Sequence, residues 1–168
     1  MKSGFIAIVG RPNVGKSTLM NKLIKEKVAI VSDKAGTTRD QIKGIVNIKE
    51  NQYIFVDTPG IHKPKHLLGE HMTDVAIDTL NDVDLIMFML NGTSNISTGD
   101  IFVNEHVKEA NTPVIIIINK IDKLTDEEIE EKKEEIKKKL GNYDNIITLS
   151  AEYGIGIHKI FEEAEPYL

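Results

Sequence analysis

The sequence contains no cysteine. A disulfide framework, a thiolate metal site and a cysteine nucleophile are therefore all excluded. Long apolar runs are missing as well, because Leu85–Leu90 and Val114–Ile118 are far shorter than the roughly 20 residues that a membrane-spanning helix needs. No secretory signal is visible before the glycine-rich segment that begins at Gly10, so we expect a cytoplasmic protein.

An excess of positive charge is also absent. The chain has 21 Lys and Arg residues against 26 Asp and Glu residues, a net charge of −5, which disfavours a broad nucleic-acid-binding face. The densest run of acidic residues lies in Asp126–Glu135, and Lys137–Lys139 follow closely. Because Thr125 and Glu128 can form a capping box and Gly141 can end the helix, this segment predicts one solvated helix rather than an interaction tail.

What the sequence does contain is a series of short apolar segments separated by helix-compatible stretches. A length of 168 residues with 40% hydrophobic residues is typical of one globular domain. The near-continuous apolar segments are typical of parallel strands buried on both faces, and the second and third segments predict a hairpin. We therefore expect one three-layer α/β domain over residues 1–168, with a mostly parallel six-stranded sheet and one antiparallel edge strand. The predicted strands are Phe5–Val9, Ile42–Ile48, Tyr53–Val56, Leu85–Leu90, Val114–Ile118 and Ile146–Leu149.

The segment from Gly10 to Ser17 reads GRPNVGKS and fits the phosphate-binding pattern Gly-x-x-x-x-Gly-Lys-Ser/Thr at every defined position. It lies between a predicted strand and a predicted helix, where backbone N–H groups and the helix N-terminus can bind phosphate. We expect Lys16 to contact the β- and γ-phosphates and Ser17 to bind Mg²⁺. A turn that binds nothing is the alternative, and the matched flanks disfavour it. The predicted contacts are Arg11, Pro12, Asn13, Val14, Gly15, Lys16, Ser17 and Thr18.

Two further segments predict contacts with Mg²⁺ and the γ-phosphate. Asp57 and Gly60 belong to Asp-Thr-Pro-Gly, which directly follows a predicted strand. We expect the Asp57 carboxylate to hold Mg²⁺ through a water and the Gly60 N–H to reach the γ-phosphate, the alternative being a common turn. In the loop 35–40, we expect Thr38 rather than Thr37 to complete the Mg²⁺ shell, the alternative being an ordinary loop.

The motif Asn119-Lys-Ile-Asp122 predicts that the base is guanine. The Asp122 carboxylate matches the adjacent N1–H and N2–H donors of guanine, and adenine would leave it unpaired, which supports discrimination of about 10⁴-fold. An ATP-using kinase is therefore disfavoured. We expect Asn119 to brace the loop, Lys120 to cover the ring face and the Ala151 N–H to meet the guanine oxygen. The predicted base contacts are Asn119, Lys120, Asp122, Lys123, Ser150, Ala151 and Glu152.

These motifs, in this order, resemble the Era family of bacterial GTPases, which are translation-factor-related small GTPases of the Ras-like fold. The resemblance covers essentially the whole chain, and besides GRPNVGKS it rests on Thr37–Arg39, Asp57–His62 and, above all, Lys63–Met72. It implies a Ras-like G domain of the P-loop NTPase class that binds GTP, GDP and Mg²⁺ and hydrolyses GTP. It also implies a role in the maturation of the small ribosomal subunit.

Proteins of the Era family carry a C-terminal KH domain that binds the 3′ region of small-subunit ribosomal RNA. The present sequence ends at Leu168 and contains no Gly-x-x-Gly segment of a KH loop. We therefore expect a monomeric G domain cut from a longer protein. For that longer protein, the resemblance implies ribosomal RNA, the 30S subunit and the periphery of the inner membrane as partners.

The residue after Asp-x-x-Gly predicts slow hydrolysis. Ras-like enzymes commonly place a water-orienting glutamine there, whereas this chain has Ile61, which can neither donate nor accept a proton. The candidates for catalytic roles are Lys16, Thr38, Gly60 and Asn13. Related GTPases with an asparagine at the position of Asn13 use it to bind K⁺, and a local hydrogen bond is an equal alternative. A guanine-nucleotide-dependent binding module with negligible hydrolysis is the alternative function.

Overall fold

The computed structural model describes residues 1–27, 42–56 and 80–168. The strands in these ranges are β1 (Lys2–Val9), β2 (Ile42–Ile48), β3 (Asn51–Val56), β4 (Leu85–Asn91), β5 (Val114–Asn119) and β6 (Ile146–Thr148). The helices are α1 (Lys16–Lys27), α2 (Thr98–Glu109), α3 (Asp126–Lys139) and α4 (His158–Ala164), with short 3₁₀ helices at Ile121–Lys123 and Glu165–Tyr167. Each predicted strand is present, with bounds that differ by only a few residues.

The described strands form one six-stranded sheet in the order β2-β3-β1-β4-β5-β6. β1 pairs in parallel with β3 and β4, and β5 pairs in parallel with β4 and β6. β2 lies at one edge and is antiparallel to β3. The turn that joins the two strands contains Lys49, which has a φ of 56°. The predicted hairpin, the mostly parallel sheet and the antiparallel edge strand are therefore confirmed.

The apolar segments are nearly continuous because the central strands are covered on both faces. Successive side chains of a strand point to opposite faces. In β4, Leu85 and Met87 belong to a core shared with α1 and α4, whereas Ile86 and Phe88 belong to a second core shared with α2 and α3. All four are fully buried, and each such side chain contributes about 1.5–3 kcal/mol to the free energy of unfolding. Two helical layers on one sheet give the predicted three-layer architecture.

Helix α3 begins and ends as the sequence predicts. Thr125 Oγ1 accepts from the Glu128 N–H at 3.2 Å, and Glu128 Oε1 accepts from the Thr125 N–H at 2.9 Å, which is a complete capping box. After the last turn, Gly141 has a φ of 124° and its N–H donates to the Ile136 carbonyl at 3.1 Å. Neither α3 nor any other helix in the described ranges is both long and apolar enough to cross a lipid bilayer.

Parallel strands bring their carboxyl ends to one edge of the sheet, which is where ligands bind in this class of fold. β1 ends at Val9, β5 at Asn119 and β6 at Thr148, so the loops that follow them meet at this edge. These are the loops that contain the predicted phosphate-binding and base-binding residues. The fold therefore brings residues from both ends of the sequence to one place.

Candidate nucleotide-binding site

The loop between β1 and α1 has a backbone that requires both glycines of its pattern. Gly15 has a φ of 103°, and a Cβ added to it would lie 2.2 Å from Asn119 Nδ2. A Cβ on Gly10 would lie 2.9 Å from both the Met89 carbonyl oxygen and Val14 Cγ2. Both positions therefore lack the space for any side chain, and Gly15 also needs a conformation that other residues adopt only with strain.

Helix α1 presents its N-terminus to an open pocket. The helix begins at Lys16, and the Leu19 N–H donates to the Gly15 carbonyl at 3.0 Å, which places the earlier N–H groups in the unpaired first turn. These N–H groups and the helix dipole favour an anion. The pocket has a volume of about 460 Å³, within the range of small-molecule sites. Its lining residues are Asn13, Gly15, Lys16, Ser17, Thr18, Asn119, Lys120 and Glu152.

Asn119, the last residue of β5, joins two of the loops around this pocket. Its Nδ2 donates to the Val14 carbonyl in the phosphate loop at 2.9 Å. Its Oδ1 accepts from the Ala151 N–H in the loop after β6, also at 2.9 Å. The Asn119 residue is only 3% exposed, so these bonds are shielded from water. Asn119 therefore links the phosphate loop to the loop after β6.

The loop after β6 is held by its own backbone. The Ser150 N–H donates to the Ile155 carbonyl at 2.8 Å, and the Ile155 N–H donates back at 3.0 Å. The Ala151 N–H, which the sequence assigns to the guanine oxygen, is here donated to Asn119. Ser150 Oγ is buried and has no hydrogen-bond partner among the described residues. Glu152 is exposed and contributes to the pocket lining.

The base-binding motif continues into a short 3₁₀ helix. Lys120 adopts a left-handed conformation with a φ of 68° and directly precedes this helix. Asp122 and Lys123 lie on the helix and are exposed. Lys123 faces a different cavity of about 600 Å³, which lies between residues 92–95 and α3. The structure therefore brings Lys120 into the pocket lining, whereas Asp122 and Lys123 stand outside that lining.

Asn13 and Ser17 have the exposure that contact with a ligand requires. Asn13 has a φ of 70°, a conformation that asparagine tolerates better than most residues, and its side chain is exposed in the pocket lining. Ser17 lies in the first turn of α1 and offers a hydroxyl oxygen, the kind of ligand that Mg²⁺ prefers. The other predicted Mg²⁺ ligands, Thr38 and Asp57, lie outside the described residues, as do Gly60 and Ile61.

The Arg11 side chain lies outside the pocket lining and bonds to residues that follow β4. Its Nε donates to Asp100 Oδ2 at 3.1 Å, and its Nη2 donates to Ser94 Oγ at 3.0 Å. The phosphate-loop pattern predicts Arg11 as a nucleotide contact, whereas its side chain pairs with Asp100, which none of the predicted site motifs contains. The available signal was the Ser97-x-x-Asp100 pattern, which is a capping box at the start of α2, but this pattern does not reveal a distant arginine.

Burial and hydrogen bonds act in opposite directions on Glu135, which lies on α3. Burial raises its pKa, but the hydrogen bonds that it accepts from Lys132 Nζ and the Ile96 N–H lower it by more, so the pKa lies below its ordinary value. Glu135 therefore stays ionised at neutral pH. Glu135 and Lys132 together attach the segment before α2 to helix α3, through the Ile96 N–H and the Ser94 carbonyl.

The chain matches the family described as "50S ribosome-binding GTPase" over residues 5–120. It is 60% identical over 169 aligned residues to GTPase Era of Fusobacterium nucleatum, a match that covers 100% of this chain and 57% of that protein. The chain therefore spans little more than half the length of this relative.

Two crystal structures are similar to the chain over its whole length. One is a variant of Aquifex aeolicus Era bound to GDP·AlF4⁻, with 42% identity, a TM-score of 0.81 and coverage of 100% of this chain and 57% of that chain. The other is Era in complex with MgGDPNP and nucleotides 1506–1542 of 16S ribosomal RNA, with the same identity, TM-score and coverage.

Proposed function

This chain belongs to the Era family of GTPases, and from this membership we propose that it binds GTP and GDP with Mg²⁺ and hydrolyses GTP to GDP and phosphate. The observation that carries the proposal is the pair of hydrogen bonds made by Asn119, which join the phosphate loop to the loop after β6 beside one open pocket. A nucleotide needs such a pocket because its phosphates and its base must be bound at the same time.

The phosphate end of the site acts by electrostatics. The first-turn N–H groups of α1 and the Lys16 ammonium would neutralise the β- and γ-phosphates. They would also stabilise the negative charge that develops on the leaving β-phosphate oxygen as its bond to the γ-phosphorus breaks. The Ser17 hydroxyl would bind Mg²⁺, with Thr38 and Asp57 as further ligands. When bound, Mg²⁺ neutralises charge on the phosphate oxygens. The hydroxyl and carboxylate oxygens of these three residues are of the type that this ion prefers.

The base end of the site would select guanine through Asp122, while Lys120 covers the ring. A competition experiment tests this proposal: a fluorescent GDP analogue is bound to the chain with Mg²⁺ and then displaced by unlabelled nucleotides. GDP and GTP should displace it, whereas ATP should need a concentration about 10⁴-fold higher. Equal displacement by ATP and GTP would contradict the proposal.

We propose that hydrolysis by the chain alone is slow. Ile61 cannot orient the attacking water, so this water depends on backbone groups, the nucleotide or a partner. The same residue favours a second candidate function, a guanine-nucleotide-dependent binding module with negligible hydrolysis. Phosphate release under single-turnover conditions separates the two candidates, because a GTPase consumes all bound GTP, however slowly. Fast steady-state turnover without a partner would contradict slow hydrolysis.

We propose further that Asn13 binds K⁺ and that this ion speeds hydrolysis by adding positive charge near the transferred phosphate. Support comes from the exposed position of Asn13 in the pocket lining. Replacing Na⁺ by K⁺ should raise the hydrolysis rate of the unaltered chain, and Asn13→Ala should remove the difference. If the variant keeps the K⁺ response, Asn13 makes only a local hydrogen bond.

The biological role that we propose is a switch in the maturation of the small ribosomal subunit, in the cytoplasm and at the periphery of the inner membrane. Support for the RNA partner comes from the Era structure that contains a 16S ribosomal RNA fragment. This chain covers 57% of the Era chain in that structure. Its own net charge of −5 disfavours a broad RNA-binding face on these residues. The 168 residues, a monomeric domain in this proposal, would supply the nucleotide-dependent change.

Binding assays with the chain alone test this division of labour. A 16S 3′-terminal RNA fragment and vesicles of anionic lipid should both fail to bind it, with either GDP or a GTP analogue present. Salt-sensitive binding of the RNA by these 168 residues would show instead that the G domain carries its own RNA contacts.

A further inference from the structure

The phosphate loop is tied to the start of α2 by the Arg11 side chain. The Arg11 Nε atom lies 3.1 Å from both carboxylate oxygens of Asp100 and is hydrogen-bonded to Oδ2. The Nη1 atom donates to the Pro12 carbonyl at 3.3 Å, so the guanidinium is also bonded to the backbone of its own loop. One side chain thus connects the backbone that would receive the phosphates to a carboxylate 89 residues away.

The Asp100 side chain is unusually buried for a carboxylate. The residue is 2% exposed, and its Oδ2 also accepts hydrogen bonds from the Ser97 N–H at 2.9 Å and the Ser97 hydroxyl at 3.1 Å. A buried charge needs a counter-charge, which Arg11 supplies. The Arg11 stem packs close to the Gly99 backbone, because a Cβ at Gly99 would lie in van der Waals contact with Arg11 Cδ at 3.4 Å. The pair is therefore packed as well as charge-matched.

The bridging loop, residues 91–97, connects this pair to the rest of the site. Ser94 accepts a hydrogen bond from Arg11 at its hydroxyl and a second one from Lys132 Nζ at its carbonyl, at 3.0 Å and 2.6 Å. Gly92 donates its N–H to the carbonyl of Asn119 at 2.9 Å. The bridging loop therefore contacts the phosphate loop, the end of β5 and α3, and it does so outside the lining of the nucleotide pocket.

We propose that Asp100 is a positioning residue for phosphate binding and that it acts through Arg11. This role rests on the proposed function of the pocket as a guanine-nucleotide site. By holding the guanidinium, Asp100 fixes the peptide groups after Arg11 before any ligand arrives. A loop ordered in advance loses less conformational entropy when it binds phosphate. Without the pair, the same loop has to be ordered at the moment of binding, so the affinity for the β-phosphate falls. The base loop does not use Arg11, and its affinity is maintained.

The test compares GDP with GMP, which shares the base, the ribose and the α-phosphate but lacks the β-phosphate. Two variants remove the ion pair with little change in shape: Asp100→Asn keeps the size of the side chain, and Arg11→Met keeps an apolar stem against Gly99. Since a charge-assisted hydrogen bond is lost in each, GDP affinity should fall about tenfold. GMP affinity should stay within about twofold, because its binding needs little of the ordered loop. The double variant should be no weaker than the weaker single variant, because both remove one interaction.

A matched control uses the exposed ion pair between Glu130 and Lys133 on α3, which lies at 3.4 Å. Glu130→Gln and Lys133→Met repeat the same chemical changes and should leave both affinities unchanged. Unchanged GDP affinity in the Asp100 and Arg11 variants, or equal losses for GDP and GMP, would overturn the positioning role even if the melting temperature falls. Failure of the unaltered chain to bind GDP at all would overturn the proposed function, and the positioning role with it.

Discussion

Replacing Asn119 by alanine should damage both the folded state and the nucleotide site. The substitution leaves two shielded groups without partners, the Val14 carbonyl and the Ala151 N–H, each of which is now bonded at 2.9 Å. An unpaired buried polar group costs about 1–3 kcal/mol, so the free energy of unfolding should fall by about 2–6 kcal/mol. That is a large part of the total free energy of unfolding of a typical domain, which is about 5–15 kcal/mol. Because Asn119→Ala can therefore fail to fold, a milder variant is needed as well.

Asn119→Ser supplies that variant. It adds no charge, and its hydroxyl can bond to only one of the two groups in place of the amide. At least one of the two contacts is thus lost. Urea unfolding should show a smaller loss of free energy than for Asn119→Ala, about 1–3 kcal/mol. GDP competition should show that both variants bind GDP more weakly, because the phosphate loop is no longer joined to the loop after β6.

Asn104→Ala is a matched control. Asn104 is 4% exposed, its Nδ2 donates to the Leu140 carbonyl at 3.0 Å, and its Oδ1 accepts from the Tyr143 hydroxyl. Burial raises the pKa of Tyr143 to about 12, so this hydroxyl keeps its proton at neutral pH. Losing Asn104 should lower stability about as much as losing Asn119, yet leave GDP affinity unchanged. The reasoning is refuted if Asn119→Ala lowers the free energy of unfolding by less than about 1 kcal/mol. It is also refuted if GDP affinity falls equally in both variants.

Two further predictions concern the base and the pH dependence of stability. In Asp122→Asn, the amide presents one acceptor and one donor, which match the N1–H and the C2 carbonyl of xanthine. Competition assays should therefore show a preference for xanthosine diphosphate over GDP. A retained preference for GDP would contradict the role of Asp122. The pKa of Glu135 is depressed in the folded state, so its stabilising contribution is complete above the ordinary value of 4.5 and is lost as the pH falls through the lower folded pKa. We therefore expect the free energy of unfolding, measured from neutral pH into this acid range, to fall less in Glu135→Gln than in the unaltered chain. An equal fall in both proteins would contradict the pairing of Glu135 with Lys132 and the Ile96 N–H.

Local sequence patterns were sufficient to predict most of the fold. β4 and β5 are continuous apolar segments because both faces are covered, and α3 begins at a capping box that four consecutive residues reveal. The phosphate loop was equally predictable, since its two glycines are separated by a fixed spacing that backbone geometry demands. Each of these signals is contained within a few neighbouring residues.

Contacts between distant residues were not predictable in this way. Arg11 and Asp100 are 89 positions apart, and no local pattern indicates that a buried carboxylate at the start of α2 would pair with the phosphate loop. The hydrogen bond from the Ala151 N–H to Asn119 is likewise not indicated by any local pattern, because it depends on how closely β5 and β6 bring their ends together. The sequence could name the residues around the pocket, but it could not say which of them bond to one another.

The division of each central strand between two cores limits where this protein can tolerate insertions and deletions. Ile115 and Ile117 belong to the core on the side of α1, and Asn119 has the same parity and reaches Val14 on that side. A single residue added within β5 would turn the Asn119 amide toward the opposite face of the sheet and away from the phosphate loop. Two added residues would restore the direction but move the amide by about 6.6 Å along the strand. Length changes should therefore be tolerated beyond the base-binding loop, for example in the connection between α3 and β6, but not in the strand that carries Asn119.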